Sequence, residues 1–358
     1  MFSSLRRFDW SLNFSLLILA VASLLTIYSI DRDNFYPQLL WFSLAALIIF
    51  FFLQLDWRPL VNYRWLIFGI YLAALVLLLL TYFFAPVIRG SRSWLVLGPW
   101  QLQTSEIAKL SLIILYSYYF AQRHVLIVRW QNILVPLLYL LPPALLVLLQ
   151  PDLGSVLILF GIYIGFLLVS GIRWRHLVLG LLVIGLLGFW AWHNVLADYQ
   201  RQRIFALFHP RYDPLGVNYN VIQSKIAIGS AGLWGKGWGQ GTQSQLGFLP
   251  EAGTDFIFPA FTEEWGLLGA VFLLLIFAVM IWRILLIGLR IENNFGRLVC
   301  LGTVIVFLLH LFINLGSALG LTPVIGVSLP FFSYGGSNLL TSAALIGIIQ
   351  SIAFRSSF

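Results

Sequence analysis

The sequence predicts an all-α integral membrane protein with ten transmembrane helices, one large extracytoplasmic loop and a re-entrant segment before the last helix. Three observations predict it. Hydrophobic residues make up 60% of the 358-residue chain and charged residues only 9%, against about one quarter charged in an ordinary soluble domain. Uncharged runs of spanning length recur along the chain, where a bilayer core takes roughly 20 apolar residues per helix. The 21 Lys and Arg lie scattered between those runs, the distribution that sets orientation in a membrane. With no dense basic block, the net charge of +8 does not mark a nucleic-acid binder. Cys300 is the single cysteine, which excludes a disulfide scaffold and reads as a packed thiol.

The expected spans run over 12–30, 35–55, 65–88, 105–122, 130–151, 153–172, 177–197, 265–282, 298–318 and 337–354. The first reads as an uncleaved helix, since no small-residue cleavage site follows it. The fourth carries two charges, Glu106 and Lys109. The stretch 298–354 holds no Asp, Glu, Lys or Arg in 57 residues, too long for one helix, and its Gly/Pro-rich part 320–336 divides it. A water-exposed loop there would carry some charge. Its absence places the segment at membrane depth, where irregular backbone persists only if buried in protein or lining a cavity. The even count puts both termini on one side. Assigning them to the cytoplasm leaves twelve arginines beside the inner span ends, from Arg6 to Arg355. Only Arg32, Arg89 and Arg92 then fall in the short outer loops. Residues 1–358 form a single polytopic membrane domain whose one long loop, about 198–264, faces outside.

Chemistry-bearing residues are few. No phosphate-cradling motif or metalloprotease motif occurs, and the Gly-rich run 235–241 reads as a close-packed loop, not a nucleotide site. The five His are dispersed, so His310 reads as a hydrogen-bonded helix residue, not a metal ligand. Glu106 and Lys109 share a helix face at i,i+3. Two readings stay open for them: a self-neutralising pair near the helix end with Lys109 snorkelling outward, or a pair facing an interior cavity and positioning a ligand. Asp255, just before the aromatic segment 256–259, has the setting of a partly desolvated base; alternatively Thr254 or Asp255 caps the following helix. In 322–337, Ser333, Gly335, Gly336, Ser337 and the free backbone N–H groups are placed to line a polar pocket, or the segment is a structural plug.

At these residues the sequence resembles the SEDS family (shape, elongation, division and sporulation), in particular its RodA branch. The matching stretches follow one another along nearly the whole chain: Arg92-Ser93-Trp94 through Leu97-Gly98-Pro99 to Ser105-Glu106-x-x-Lys109; Gln150-Pro151-Asp152-Leu153-Gly154; Asp213-Pro214-Leu215-Gly216 through Gln223-Ser224-Lys225; Gly235-Lys236-Gly237; Leu249-Pro250-Glu251-x-x-Thr254-Asp255-Phe256-Ile257-Phe258; and Leu329-Pro330-Phe331-x-Ser333-Tyr334-Gly335-Gly336-Ser337. Small departures are Thr104, Ala231, Gly253 and Asn338, and none removes a charged candidate.

The resemblance implies ten membrane helices in the bacterial cytoplasmic membrane. It implies a peptidoglycan glycosyltransferase that polymerises lipid II at the outer face, for elongation and rod shape, releasing undecaprenyl pyrophosphate. It makes Asp255 the residue essential for polymerisation and maps the family's intramembrane pair onto Glu106 and Lys109. It implies a divalent cation (Mg or Mn), with its ligands unassigned, and a class B penicillin-binding protein as partner beside other elongation-complex membrane proteins. Arg203, Lys225 and Lys236 in the outer loop are then candidates to neutralise the leaving pyrophosphate. The alternatives are a lipid II flippase, which would lean on Glu106 and Lys109 more than on a loop carboxylate, and a non-catalytic scaffold of the elongation complex.

Overall fold

Large apolar side chains such as Phe14, Phe50, Phe83 and Trp282 stand on the outside of this molecule, while Ser15, Ser23, Thr26, Thr81 and Ser117 are buried in it. That inversion is what lipid as solvent demands: apolar faces turn outward, and small polar residues let helices approach closely. The computed structural model describes residues 9–57, 63–88, 90–98, 100–123, 130–172, 174–194, 198–209 and 213–356. In chain order these form α1 (Trp10–Ile30), α2 (Arg32–Gln54), α3 (Arg64–Phe84), strands β1 (Trp94–Leu97) and β2 (Trp100–Gln103), α4 (Thr104–Ala121), α5 (Gln131–Leu149), α6 (Leu153–Val169), α7 (Trp174–Asn194), α8 (Asp198–Phe208), α9 (Tyr219–Ser230), α10 (Thr242–Gln245), α11 (Ile257–Arg290), α12 (Asn294–Leu319) and α13 (Gly336–Ser356).

Each expected crossing coincides with a helix. Among the described residues seven helices are long and apolar enough to cross a membrane: α1, α2, α3, α5, α11, α12 and α13. The other three expected crossings fall on α4, which carries two charges, on the 17-residue α6 and on α7. The fold centres on α4, α11, α12 and α13: α12 packs against α4, α6 and α11, while α13 lies along α2 and α11 lies along α1. Cys300 is buried in this core. At one end Asp9 caps α1 through the Leu12 amide at 3.0 Å and pairs with Arg283 of α11 at 2.6 Å. Three prolines sit inside α5. A proline removes the bond its N–H would have made to the carbonyl four residues back. For Pro143 that carbonyl belongs to Tyr139, and it accepts the Tyr71 hydroxyl at 2.8 Å instead.

Two features correct the sequence expectation. The fold is not purely helical: 94–97 and 100–103 pair as an antiparallel hairpin, Trp94 opposite Gln103, and β2 runs directly into α4. The long segment 198–264 is also more ordered than a loop, holding α8, α9 and α10, and α11 begins at Ile257, eight residues before the expected span.

The early start of α11 is possible because the helix is broken at Gly266 (φ 73°, ψ −176°), a conformation open to glycine and strained for other residues. Such a break strands two carbonyls and two amides that buried backbone must satisfy elsewhere. The Gly-rich loop supplies all four partners. Lys236 N and Gly237 N donate to the carbonyls of Glu263 and Glu264 at 2.9 and 3.0 Å, and Leu267 N and Leu268 N donate to the carbonyls of Gly232 and Leu233 at 2.9 and 3.2 Å. A side chain on Gly235 would collide with the Glu264 carbonyl. The run 235–241 is thus a close-packed loop seated in a helix break.

Candidate functional site

Asp255 lies on the turn 251–256 that leads into α11, and it is half-buried. Its position is set by the backbone around it. Three consecutive carbonyls are each held by a different donor: Gly253 by the Tyr334 amide at 2.8 Å, Thr254 by the Ser333 hydroxyl at 2.7 Å, and Asp255 by Asn314 Nδ2 at 3.0 Å. Two donors come from the segment between α12 and α13, and one comes from α12 itself. Within the turn, the amides of Thr254 and Phe256 both donate to the Glu251 carbonyl at 3.1 Å. Oδ2 of Asp255 faces Gly326, where a Cβ would stand 3.8 Å away. The helix-cap alternative is set aside: the N-cap of α11 is Phe256, with no side-chain cap bond, and the Thr254 hydroxyl bonds Glu251 Oε2 at 3.0 Å.

The segment 320–335 is irregular, half-buried or exposed over 320–326 and mostly buried over 327–333. Ser333 serves both ends, its hydroxyl accepting from the Leu329 amide at 2.9 Å while donating to Thr254. The Ser337 hydroxyl accepts the Gln103 amide at 2.9 Å, which fixes the hairpin end where α4 starts. The Gly335 amide donates to Gln38 Oε1 at 3.4 Å, and Gly336 packs so tightly on Trp41 that a Cβ would fall 2.4–2.6 Å from the indole.

Glu106 and Lys109 form a 2.6 Å ion pair on the first turns of α4, with both side chains more than nine-tenths buried. A carboxylate in a first turn also suits the positive end of the helix dipole. Lys109 does not snorkel. It turns inward, and its ammonium meets Nε2 of His310 on α12 at 3.2 Å. With Lys109 donating to Nε2, the ring proton sits on Nδ1 and is donated to the Ser328 carbonyl at 2.7 Å. The Thr341 hydroxyl donates to the other Glu106 oxygen at 3.3 Å. The pair therefore faces the interior and meets the re-entrant segment through His310.

The three cations of 198–264 expected to meet the pyrophosphate, Arg203, Lys225 and Lys236, separate. Lys236 is committed to Glu263 at 2.6 Å and to the Thr242 hydroxyl at 2.8 Å. Lys225, on α9, is exposed beside Gly320 at the end of α12 and lines a cavity of about 400 Å³ with Asn218, Asn220, Thr322 and Val324. Arg203 falls on α8, but its side chain lies outside the described residues. Among the described residues no group of three His, Cys, Asp or Glu side chains comes together to hold a metal ion. Sequence reasoning missed Asn314, whose signal was its spacing: with His310 it makes a polar i,i+4 pair in an otherwise uncharged span, so the two share one face of α12.

The fold and site define a multi-pass membrane protein with a carboxylate held beside a re-entrant segment. A family profile described as cell cycle protein, FtsW/RodA/SpoVE, matches residues 4–357, and the chain belongs to that family. It is 42% identical over 285 residues to the peptidoglycan glycosyltransferase MrdB of Escherichia coli K12, covering 79% of this chain and 76% of that one. It is 35% identical over 330 residues to stage V sporulation protein E of Bacillus subtilis 168, covering 91% and 89%. Among solved structures it resembles the rod shape determining protein RodA of Thermus thermophilus, with a TM-score of 0.73, 29% identity and 98% of both chains covered. A chain from work on the structural coordination of polymerization and crosslinking by a peptidoglycan synthase complex matches at TM-score 0.84 and 33% identity over 98% of both chains.

Proposed function

We propose that Asp255 is the general base of lipid II polymerisation. The chain is a peptidoglycan glycosyltransferase. The observation that supports the role of Asp255 is the turn beneath it: a half-buried carboxylate whose own carbonyl and the two preceding ones are each tied down. A base must be pre-positioned within hydrogen-bond reach of the proton it takes. In the proposed step the C4 hydroxyl of an incoming lipid II gives its proton to Asp255. Its oxygen attacks the anomeric carbon of the growing chain, and the bond from that carbon to the pyrophosphate oxygen breaks. Undecaprenyl pyrophosphate leaves with the electron pair. One displacement inverts the anomeric centre, as in inverting glycosidases.

The leaving pyrophosphate needs charge neutralisation more than protonation. Lys225, which lines the cavity, is better placed than Lys236, which is engaged by Glu263. Arg203 sits one turn before the cavity-lining residues of α8. We also propose a divalent cation, Mg or Mn. Among the described residues no group of three or more ligating side chains encloses one; a Mg ion of this kind would be held by one or two protein carboxylates together with the substrate phosphates. No step above is routed through it.

The further proposals concern setting. The protein sits in the bacterial cytoplasmic membrane with both termini inside and the Asp255 face outside, supported by the arginine bias at the span ends. It works with a class B penicillin-binding protein, a single-span transpeptidase, supported by the synthase complex that its structural relative comes from. The test is polymerisation of labelled lipid II by the purified chain, with and without the transpeptidase. Long strands from wild type and none from a folded Asp255→Ala variant are expected; strands from the variant would remove Asp255 from the role.

A further inference from the structure

The described mechanism uses Asp255 but not the two polar residues of α12 that reach toward it. Asn314 is almost fully buried. Its amide nitrogen donates twice, to the Asp255 carbonyl at 3.0 Å and to the Val327 carbonyl at 2.8 Å. One side chain therefore clamps the catalytic turn to the re-entrant segment. Its Oδ1 finds no partner among the described residues. A buried acceptor left unmade costs about 1–3 kcal/mol, which offsets part of what the two bonds of the amide contribute to stability. One turn earlier on the same face, His310 holds the next residue of the segment, Ser328, through Nδ1. Nε2 of the same ring meets Lys109, which is paired with Glu106. Contacts thus run without a gap from the intramembrane ion pair, through one imidazole and two residues of irregular backbone, to the carbonyl of the catalytic residue.

We infer that Asn314 is a positioning residue for Asp255, and that His310 joins the Glu106–Lys109 pair to the same clamp. Resting on the reading of Asp255 as base, this assigns the buried pair a role that needs no contact with substrate. The pair fixes His310, His310 and Asn314 fix residues 327 and 328, and that stretch together with Asn314 fixes the turn. A base displaced by about 1 Å loses rate without losing substrate, and such misplacement can cost about a hundredfold. The expected signature is a fall in kcat with KM nearly unchanged.

The experiment is steady-state polymerisation of labelled lipid II by the full-length protein with its transpeptidase, with thermal melting of each variant alongside. Asn314→Leu keeps the branched shape and removes both donors; kcat should fall at least about tenfold with KM within about twofold, and the loss should persist well below the melting temperature. His310→Leu should lower kcat about three- to tenfold, and the double variant should lose less than the product of the two, because both act on one segment. If Asn314→Leu does not fold, Asn314→Ser, which leaves room for a water but cannot reach both carbonyls, takes its place with the same expectation. Wild-type kcat in a folded Asn314 variant overturns the inference. So does a kcat loss that merely tracks thermal stability in both variants, and so does a strictly multiplicative double variant. Asp255→Ala run in parallel separates the two readings: an active Asp255→Ala removes the base, whereas an inactive one beside a fully active Asn314→Leu removes only the clamp.

Discussion

Among the described residues two Glu–Lys pairs share the same 2.6 Å separation, the buried Glu106–Lys109 and Glu263–Lys236, whose lysine is partly exposed, and their surroundings differ in kind. Glu263 is fully buried at the break in α11 and accepts, besides Lys236, the amides of Gln243 and Ser244 and the hydroxyls of Thr242 and Ser244. Its charge is satisfied many times over, and every one of these partners comes from the loop that fills the break or from α10 directly after it. The pair there is a fastener between loop and helix. Glu106–Lys109 lies within one helix, with one hydroxyl on the carboxylate and one imidazole on the ammonium. Its outward connection leads to the re-entrant segment. Geometry within a buried ion pair therefore says little about its purpose; what the remaining lone pairs and protons touch says more.

The comparison can be broken or sharpened by substitution. Asp255→Ala sets the scale, with an expected loss of about 10²–10⁴ in polymerisation rate, the usual worth of a general base, and an unchanged melting temperature by circular dichroism. Next comes Lys109→Met, which leaves Glu106 buried and unpaired. Stability should fall by about 3–5 kcal/mol in denaturant titrations, and activity per folded molecule should fall with it. Lys236→Met should cost less, about 2 kcal/mol, because amides still hold Glu263 and the lysine is partly exposed. Activity per folded molecule should stay near wild type, and a large activity loss would erase the distinction between the pairs. A comparable or smaller effect belongs to Ser333→Ala, which removes both bonds of that hydroxyl, from the Leu329 amide and to the Thr254 carbonyl, and should lower stability by about 1–2 kcal/mol.

Much of this was legible in the sequence, and the limits have physical reasons. Uncharged runs located all seven helices that are long and apolar enough to cross a membrane among the described residues, because lipid imposes a length and a composition on anything that crosses it. Asp255 stood out as a carboxylate before an aromatic stretch, and the re-entrant segment stood out because it lacked charge. The hairpin at 94–103 escaped because four-residue strands leave almost no periodic signal. The early start of α11 escaped because Glu263 and Glu264 looked like the end of an aqueous loop; only the loop folded into the break makes their burial affordable. Lys236 and Lys225 looked equivalent along the chain, and one is neutralised by a residue 27 positions away. Asn314 escaped because an amide in a membrane span carries no charge to flag it, although its spacing from His310 placed both on one face.

The break at Gly266 also bears on how the protein is made. Residues 232–245, which supply the donors for the carbonyls and carboxylates of Glu263 and Glu264, precede them in the chain. During N-to-C synthesis the receiving loop is therefore complete before the two acids leave the ribosome. An insertion machinery handling α11 need not hold two unpaired acids in lipid while waiting for a later segment. A circular permutation that moved 232–245 behind α11 would keep every contact of the finished fold and reverse that timing, making assembly yield, not final stability, the quantity at risk.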